Sequence, residues 1–118
     1  MSTECLFCRI AAKEVPAQMV YEDDQVCAFK DISPQAPVHL LVIPKQHIES
    51  LNLLTEQDRD IMGVVMERVA HLARQFKIHE SGYRTIINTN QDGGQVVFHL
   101  HVHILGGRAI GPMVARSS

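Results

Sequence analysis

Seven consecutive residues near the end of the chain, His99-Leu100-His101-Val102-His103-Ile104-Leu105, restrict its folding more than any other stretch. Imidazole and aliphatic side chains alternate, which is the period of a β-strand, whose successive side chains point to opposite faces. The three imidazoles are therefore expected on one sheet surface, roughly 6–7 Å apart along the strand. Leu100, Val102 and Ile104 are expected to enter a core on the other surface. A solvated strand face with no task ordinarily mixes Thr, Lys, Glu and Ser. Imidazole titrates near neutral pH and serves as nucleophile, proton carrier or metal ligand, so three in alternation point to chemistry.

Just upstream, Asn88-Thr89-Asn90-Gln91-Asp92-Gly93-Gly94-Gln95 has the composition of a loop, and its glycines accept positive φ. Consecutive backbone N–H groups in such a turn can form an anion-binding nest. A glycine pair alone is weak evidence, since most are only turns; loop, Gln95 and imidazoles together suit a phosphate.

These residues resemble the histidine triad signature, His-x-His-x-His followed by two apolar residues. The likeness extends to Tyr21-Glu22-Asp23-Asp24, to Phe29-Lys30-Asp31-Ile32-Ser33-Pro34-Gln35-Ala36-Pro37, to Val42-Ile43-Pro44-Lys45, and from Gly93-Gly94-Gln95 through Gly106-Gly107-Arg108. Nearly the whole chain is similar to the nucleotide-binding (HINT) branch of the histidine triad (HIT) family. The resemblance implies an α+β HIT-like fold, a five-stranded antiparallel sheet with one long and one short helix, extended to ten strands across a homodimer.

It also implies a hydrolase that cleaves at the α-phosphate of purine nucleoside phosphoramidates through a nucleotidyl-histidine intermediate. In that reading neutral His101 is the nucleophile, and His103 contacts phosphate oxygens and helps the leaving group. His39 belongs to the network that orients the nucleophile. Asp31 meets the ribose and Ile32 the base, with Phe7, Ile10, Phe29 and Leu41 completing an apolar slot. Asn88, Gln95 and backbone N–H groups near Gly94-Val96 stabilise charge on the phosphoryl oxygens. No catalytic metal is required. Val96 stands where the branch often carries Ser, which keeps a backbone donor and loses a hydroxyl. A third histidine, where the transferases of the family carry Gln, argues against a transferase. The alternatives are a dinucleoside polyphosphate hydrolase, or a regulatory protein that binds nucleotide or zinc with negligible turnover.

Cys5-Leu6-Phe7-Cys8 is a Cys-x-x-Cys, which by itself can be a redox pair, a zinc half-site or neither. Two thiolates need two more soft or borderline ligands for a closed tetrahedral zinc, and His47 and His99 are the best candidates. The zinc-carrying members of the family, which this N-terminus resembles, hold a structural ion with such a set. Cys27 reads as a small core residue.

At 118 residues, with 46% hydrophobic and 20% charged, one HIT domain spanning 1–118 is expected, with an irregular tail over 111–118. A net charge of −2 gives no electrostatic reason to expect a nucleic acid polymer as partner. No apolar run is long enough to span a bilayer, and Met1-Ser2-Thr3-Glu4 lacks the regions of a signal peptide. Three cysteines fit a reducing compartment, so a cytoplasmic protein is expected.

Periodicity predicts a short helix from Leu6 to about Lys13. It predicts a hairpin of Met19–Glu22 and Gln25–Asp31 turning at Asp23-Asp24, and an apolar strand from His39 to Pro44. Thr55 begins a capping box, and the spacing of Ile61, Val65, Val69, Leu72 and Phe76 predicts a helix over about Thr55–Lys77. A strand over Tyr83–Asn88 then delivers the chain to the glycine loop.

Overall fold

The computed structural model describes residues 5–114, so the reading of residues 1–4 and the last part of the expected tail, 115–118, lie outside the described residues. In chain order they form helix α1 (Leu6–Ala11), strands β1 (Met19–Glu22), β2 (Val26–Lys30) and β3 (Val38–Pro44), two short 3-10 turns, helix α2 (Arg59–Gln75), and strands β4 (Tyr83–Ile86) and β5 (Val102–Gly106). The strands make one antiparallel sheet in the order β1-β2-β3-β5-β4, the α+β architecture that the sequence predicts.

Strand β3 explains why both sheet faces are covered. Its alternate residues Leu40 and Val42 join Val26, Ala28, Val102 and Ile104 under the Val65, Val69, Leu72 and Ala73 face of α2. Leu41 and Ile43 point the other way and join Cys27 and Phe29 beneath Phe7 and Ile10 of α1. A strand buried on both faces reads as an unbroken apolar run, which is what this one does. The single exception, His39, emerges on the α1 side, where Leu41 pairs with His103.

Helix α2 begins later than predicted. The capping box forms, with Thr55 Oγ1 accepting from Gln57 N–H (3.3 Å) and Asp58 Oδ2 accepting from Thr55 N–H (3.0 Å). It caps a 3-10 turn over Glu56–Asp58, however, and the α-helix starts at Arg59. At the other end Lys77 adopts φ 59, and Lys77 and Ile78 N–H donate back to Arg74 and Ala73 carbonyls (3.1 and 2.9 Å). This is a Schellman closure built without glycine, and it stops the helix at Gln75.

The β1–β2 turn is held by one carboxylate. Asp23 Oδ1 accepts from Gln25 and Val26 N–H, both at 2.8 Å, while Oδ2 accepts from Tyr21 OH (2.6 Å) and from Arg68 Nε of α2 (2.8 Å). Partial burial would raise its pKa, but these four donors outweigh burial and hold the carboxyl well below the usual carboxylate range. Asp23→Ala is expected to cost about 1–3 kcal/mol in denaturant unfolding, because it strands donors of both the turn and α2. The sign with pH follows from the lowered folded pKa. Below about pH 4 the unfolded chain takes up this proton first, so the contribution is complete above that pH and declines as pH falls further. Acid titrations of wild type and Asp23→Ala should converge there.

Candidate active site

Strand β5 starts at Val102, three residues later than the alternation predicts, so His99-Leu100-His101 approaches the sheet without joining its ladder. The cause lies in β3, which ends at Pro44. Proline has no N–H to offer the next rung, and Leu100 N–H instead donates to Ile48 carbonyl at 2.6 Å. The three imidazoles therefore do not form one row. His101 and His103 stay together, with ring centres 5.1 Å apart, while the His99 ring is fully buried and lies 5.1 Å from that of His47.

Backbone groups dictate where each imidazole carries its proton. His101 Nδ1 lies 2.7 Å from the His99 carbonyl, which can only accept, so Nδ1 holds the hydrogen and Nε2 keeps its lone pair. His99 Nε2 lies 2.7 Å from the Pro44 carbonyl, so its lone pair is on Nδ1. At His39 the direction reverses, because Gln35 N–H donates to Nδ1 (3.0 Å) and the neutral ring must carry its hydrogen on Nε2. That hydrogen is donated to His103 Nδ1 at 2.9 Å, with Asp31 Oδ2 a more distant neighbour at 3.4 Å. His103 is thereby left with its own hydrogen on Nε2. Burial depresses all three triad pKa values, His99 and His103 to about 4, so neutral imidazole is the resting form at pH 7.

A cleft of about 250 Å³ opens beside these rings, lined by Phe7, Asp31, Leu41, Asn88, Gly94, Val96, Val97, His101 and His103. The sequence predicted all but Val97. Phe7 meets the His101 ring edge-on, with centres 5.0 Å apart at 83°. Ile10 and Phe29 are buried behind it, Phe29 at 5.3 Å from the Phe7 ring. Asn88 Nδ2 donates to Gly93 carbonyl (2.6 Å), and Gly93 itself runs so close to Thr89 that a Cβ there would sit 2.5 Å from the Thr89 carbonyl oxygen.

Two predicted contacts are placed differently. The Gln95 side chain is buried within its own loop, Oε1 accepting from Asn90 N–H (2.8 Å) and Nε2 donating to Glu49 and Val97 carbonyls (2.8 and 3.1 Å). Its N–H also donates to Asn90 carbonyl, at 3.0 Å. With these donors engaged, Gln95 braces the loop that presents Val96 and Val97 and does not reach into the cleft. Ile32 is 97% exposed and rims an adjoining cavity of about 670 Å³ that shares Asp31 with the cleft and reaches His39, Leu40 and Phe76. That cavity is larger, yet neither His101 nor His103 lines it.

The HIT domain profile matches residues 12–110. The chain belongs to the histidine triad family. It is 47% identical over 115 residues to the purine nucleoside phosphoramidase of Escherichia coli K12, covering 98% of this chain and 97% of that one. It is 50% identical over 102 residues to protein HitA of Neisseria gonorrhoeae, covering 86% and 94%. Among solved structures, a HIT family hydrolase from Legionella pneumophila Philadelphia 1 superposes with TM-score 0.89 at 47% identity, over 90% of this chain and 95% of that one. A histidine triad protein from Clostridium difficile does so with TM-score 0.92 at 40% identity, over 97% and 99%.

This HIT chain brings two groups of potential ligands together, Cys5-Cys8-His47-His99 and Asp31-His39-His103. In the first, Cys5 Sγ and His99 Nδ1 are 3.3 Å apart, Cys8 Sγ and His47 Nδ1 3.2 Å, Cys8 Sγ and His99 Nδ1 3.5 Å, and the two Nδ1 atoms 3.3 Å. The His99 lone pair faces inward because Pro44 holds its other nitrogen, the arrangement that prepares a metal ligand. Burial and the neighbouring Cys5 push the Cys8 thiol up to about 11, so an ion entering here displaces protons. These four residues could hold a metal ion. The second group is different in kind, because the Gln35 amide puts a hydrogen on the His39 nitrogen that faces its partners. It is a hydrogen-bond chain ending at the cleft.

A backbone carbonyl behind the second ring nitrogen of His101 follows from the family resemblance, but which backbone groups hold the imidazoles does not. The His99 and Pro44 carbonyls and the Gln35 amide set four imidazoles, and backbone atoms carry no residue-type signal. Among the described residues no helix is long and apolar enough to cross a membrane.

Proposed function

We propose that this chain is a nucleotide hydrolase acting on purine nucleoside phosphoramidates. The observation that carries the reading is His101, a neutral imidazole whose Nδ1 hydrogen is fixed by the His99 carbonyl and whose Nε2 lone pair is free beside the cleft. The 47% identical phosphoramidase of E. coli supplies the substrate class.

In the proposed reaction Nε2 of His101 attacks the α-phosphorus, a P–Nε2 bond forms, and the P–N bond to the amine breaks. The electron pair leaves with the amine nitrogen, which takes its proton from water, while the neutral His103 donates an Nε2–H hydrogen bond to the departing group and keeps its proton. Positive charge developing on His101 is shared with the His99 carbonyl. Water then attacks phosphorus, the P–Nε2 bond breaks, and nucleoside monophosphate leaves with His101 neutral again. The Gly94 and Gln95 N–H groups are donated within the loop, to the Gln91 and Asn90 carbonyls, so the Val96 N–H and the Asn88 side chain stabilise the phosphoryl oxygens. Asp31 receives the ribose, and Phe7 and Leu41, backed by Ile10 and Phe29, take the base, over which exposed Ile32 can close. Holding adenosine phosphoramidates and dinucleoside polyphosphates in parallel assays, monitoring released monophosphate, tests the reading; no release from either would refute it. His103→Gln should lower kcat by about 10²–10⁴-fold, more for poor leaving groups, with little change in nucleotide affinity.

Zinc is the ion we assign to the Cys5-Cys8-His47-His99 group. Bonds of about 2.0–2.1 Å to nitrogen and 2.3 Å to sulfur set tetrahedral ligand atoms about 3.3–3.8 Å apart; four of the six pairs here lie 3.2–3.5 Å apart, and all lie within 4.8 Å. When bound it would crosslink α1 to the β3 and β5 approaches, with no part in the bond-breaking steps. We further propose a cytoplasmic protein of one domain that pairs as a homodimer through the open edge of β4; light scattering of the purified chain tests the pairing.

A further inference from the structure

His99 belongs to both sites at once. Its ring lies in the cysteine group, with Nδ1 at 3.3 Å from Cys5 Sγ and 3.5 Å from Cys8 Sγ, and its carbonyl lies 2.7 Å from His101 Nδ1. The residue is fully buried and its Nε2 is held by Pro44, so ring and carbonyl cannot move independently of one another. A second connection runs through α1. Cys5 caps that helix and Cys8 lies in its first turn, and between them Phe7 packs edge-on against the His101 ring at 5.0 Å and against the His99 ring at 6.1 Å. Both routes from the sulfurs converge on the same imidazole.

Resting on the function proposed above, we infer that His99 is a positioning residue that couples the metal group to the nucleophile, so that metal occupancy and nucleotide occupancy reinforce each other. An anionic phosphate beside His101 Nε2 polarises that ring and strengthens its Nδ1–H bond to the His99 carbonyl. The strengthened bond restrains the His99 backbone, and release of an ion from the group requires the His99 ring to move. Linkage makes the coupling reciprocal: whatever factor nucleotide adds to metal affinity, metal adds to nucleotide affinity. Metal loss should then loosen His101 and lower kcat more than it raises KM.

The test uses the full chain loaded with Co²⁺, whose visible spectrum reports the ligand geometry, and AMP as the nucleotide. Release of Co²⁺ to an excess of chelator is timed with and without saturating AMP, in wild type and in His101→Ala, with AMP occupancy of each checked by calorimetry. AMP is expected to shift the Co²⁺ bands and to slow release about 5-fold or more in wild type, and to do neither in His101→Ala. Equal release rates at full AMP occupancy would overturn the coupling and leave the proposed function standing. An equal slowing in His101→Ala would also overturn it, since the connection would then bypass the nucleophile. Failure of AMP to bind wild type at all would overturn the nucleotide reading and the coupling with it.

Discussion

Replacing His101 with Ala is expected to reduce release of monophosphate from an adenosine phosphoramidate by about 10⁴-fold or more, the scale seen when a nucleophile or its orienting partner is removed. The ring sits in a neutral, single tautomer with Nε2 unpartnered, and neither His39 nor His103 can substitute for it. His39 Nε2 carries a hydrogen donated to His103, and His103 Nδ1 receives it. No other described imidazole at the cleft therefore offers a free lone pair to phosphorus. Nucleotide binding should survive, because Asp31, Asn88, Phe7 and Leu41 are untouched. Calorimetry with AMP should give a Kd close to wild type while turnover is lost. Mass spectrometry of wild type, quenched in base during turnover, should find a nucleotidyl adduct on the His101 peptide. Full activity in His101→Ala would remove the mechanism.

The second large effect is expected from the metal group. Cys8→Ser, or prolonged chelation of wild type, should lower Tm by roughly 10–15 °C, which corresponds to about 3 kcal/mol for a domain of this size. The effect is large because of what the group joins. Helix α1 has six residues, too few to be stable alone. Its attachment consists of the Phe7 and Ile10 contacts and the four ligands. With the ion gone, two thiols and two imidazoles remain within 4.8 Å of one another with only weak hydrogen bonds between them. Calorimetric scans with and without added Zn²⁺ check this, and a Tm unmoved by chelation of a metal-loaded sample would count against a structural ion. Cys27, buried with its thiol pushed up to about 11 by desolvation, should bind no metal and react slowly with thiol reagents.

Local chemistry made much of this legible from residues alone. Asp23 turns the hairpin, Thr55 and Asp58 start the α2 segment, and the β3 run declares itself by composition. The cysteines, His47 and His99 were legible as a group because ligand chemistry is specific to residue type. What sequence could not supply was the point at which the triad strand begins, since that depends on Pro44 lying opposite after folding. Gln95 misled for a related reason: an amide beside glycines suits a phosphate, but here its donors are taken by Glu49 and Val97 carbonyls. The termination of α2 was also hidden, because Lys77 adopts a left-handed φ usually reserved for glycine.

The carbonyls of His99 and Pro44 carry a last consequence. In the familiar serine hydrolase arrangement a carboxylate steers the imidazole, and acid can neutralise that carboxylate. A peptide oxygen has no such acid form in the range where proteins stay folded. The compass that orients His101 is thus built from main chain, where mild acid cannot erase it, and it would swing only if what anchors the His99 backbone were lost.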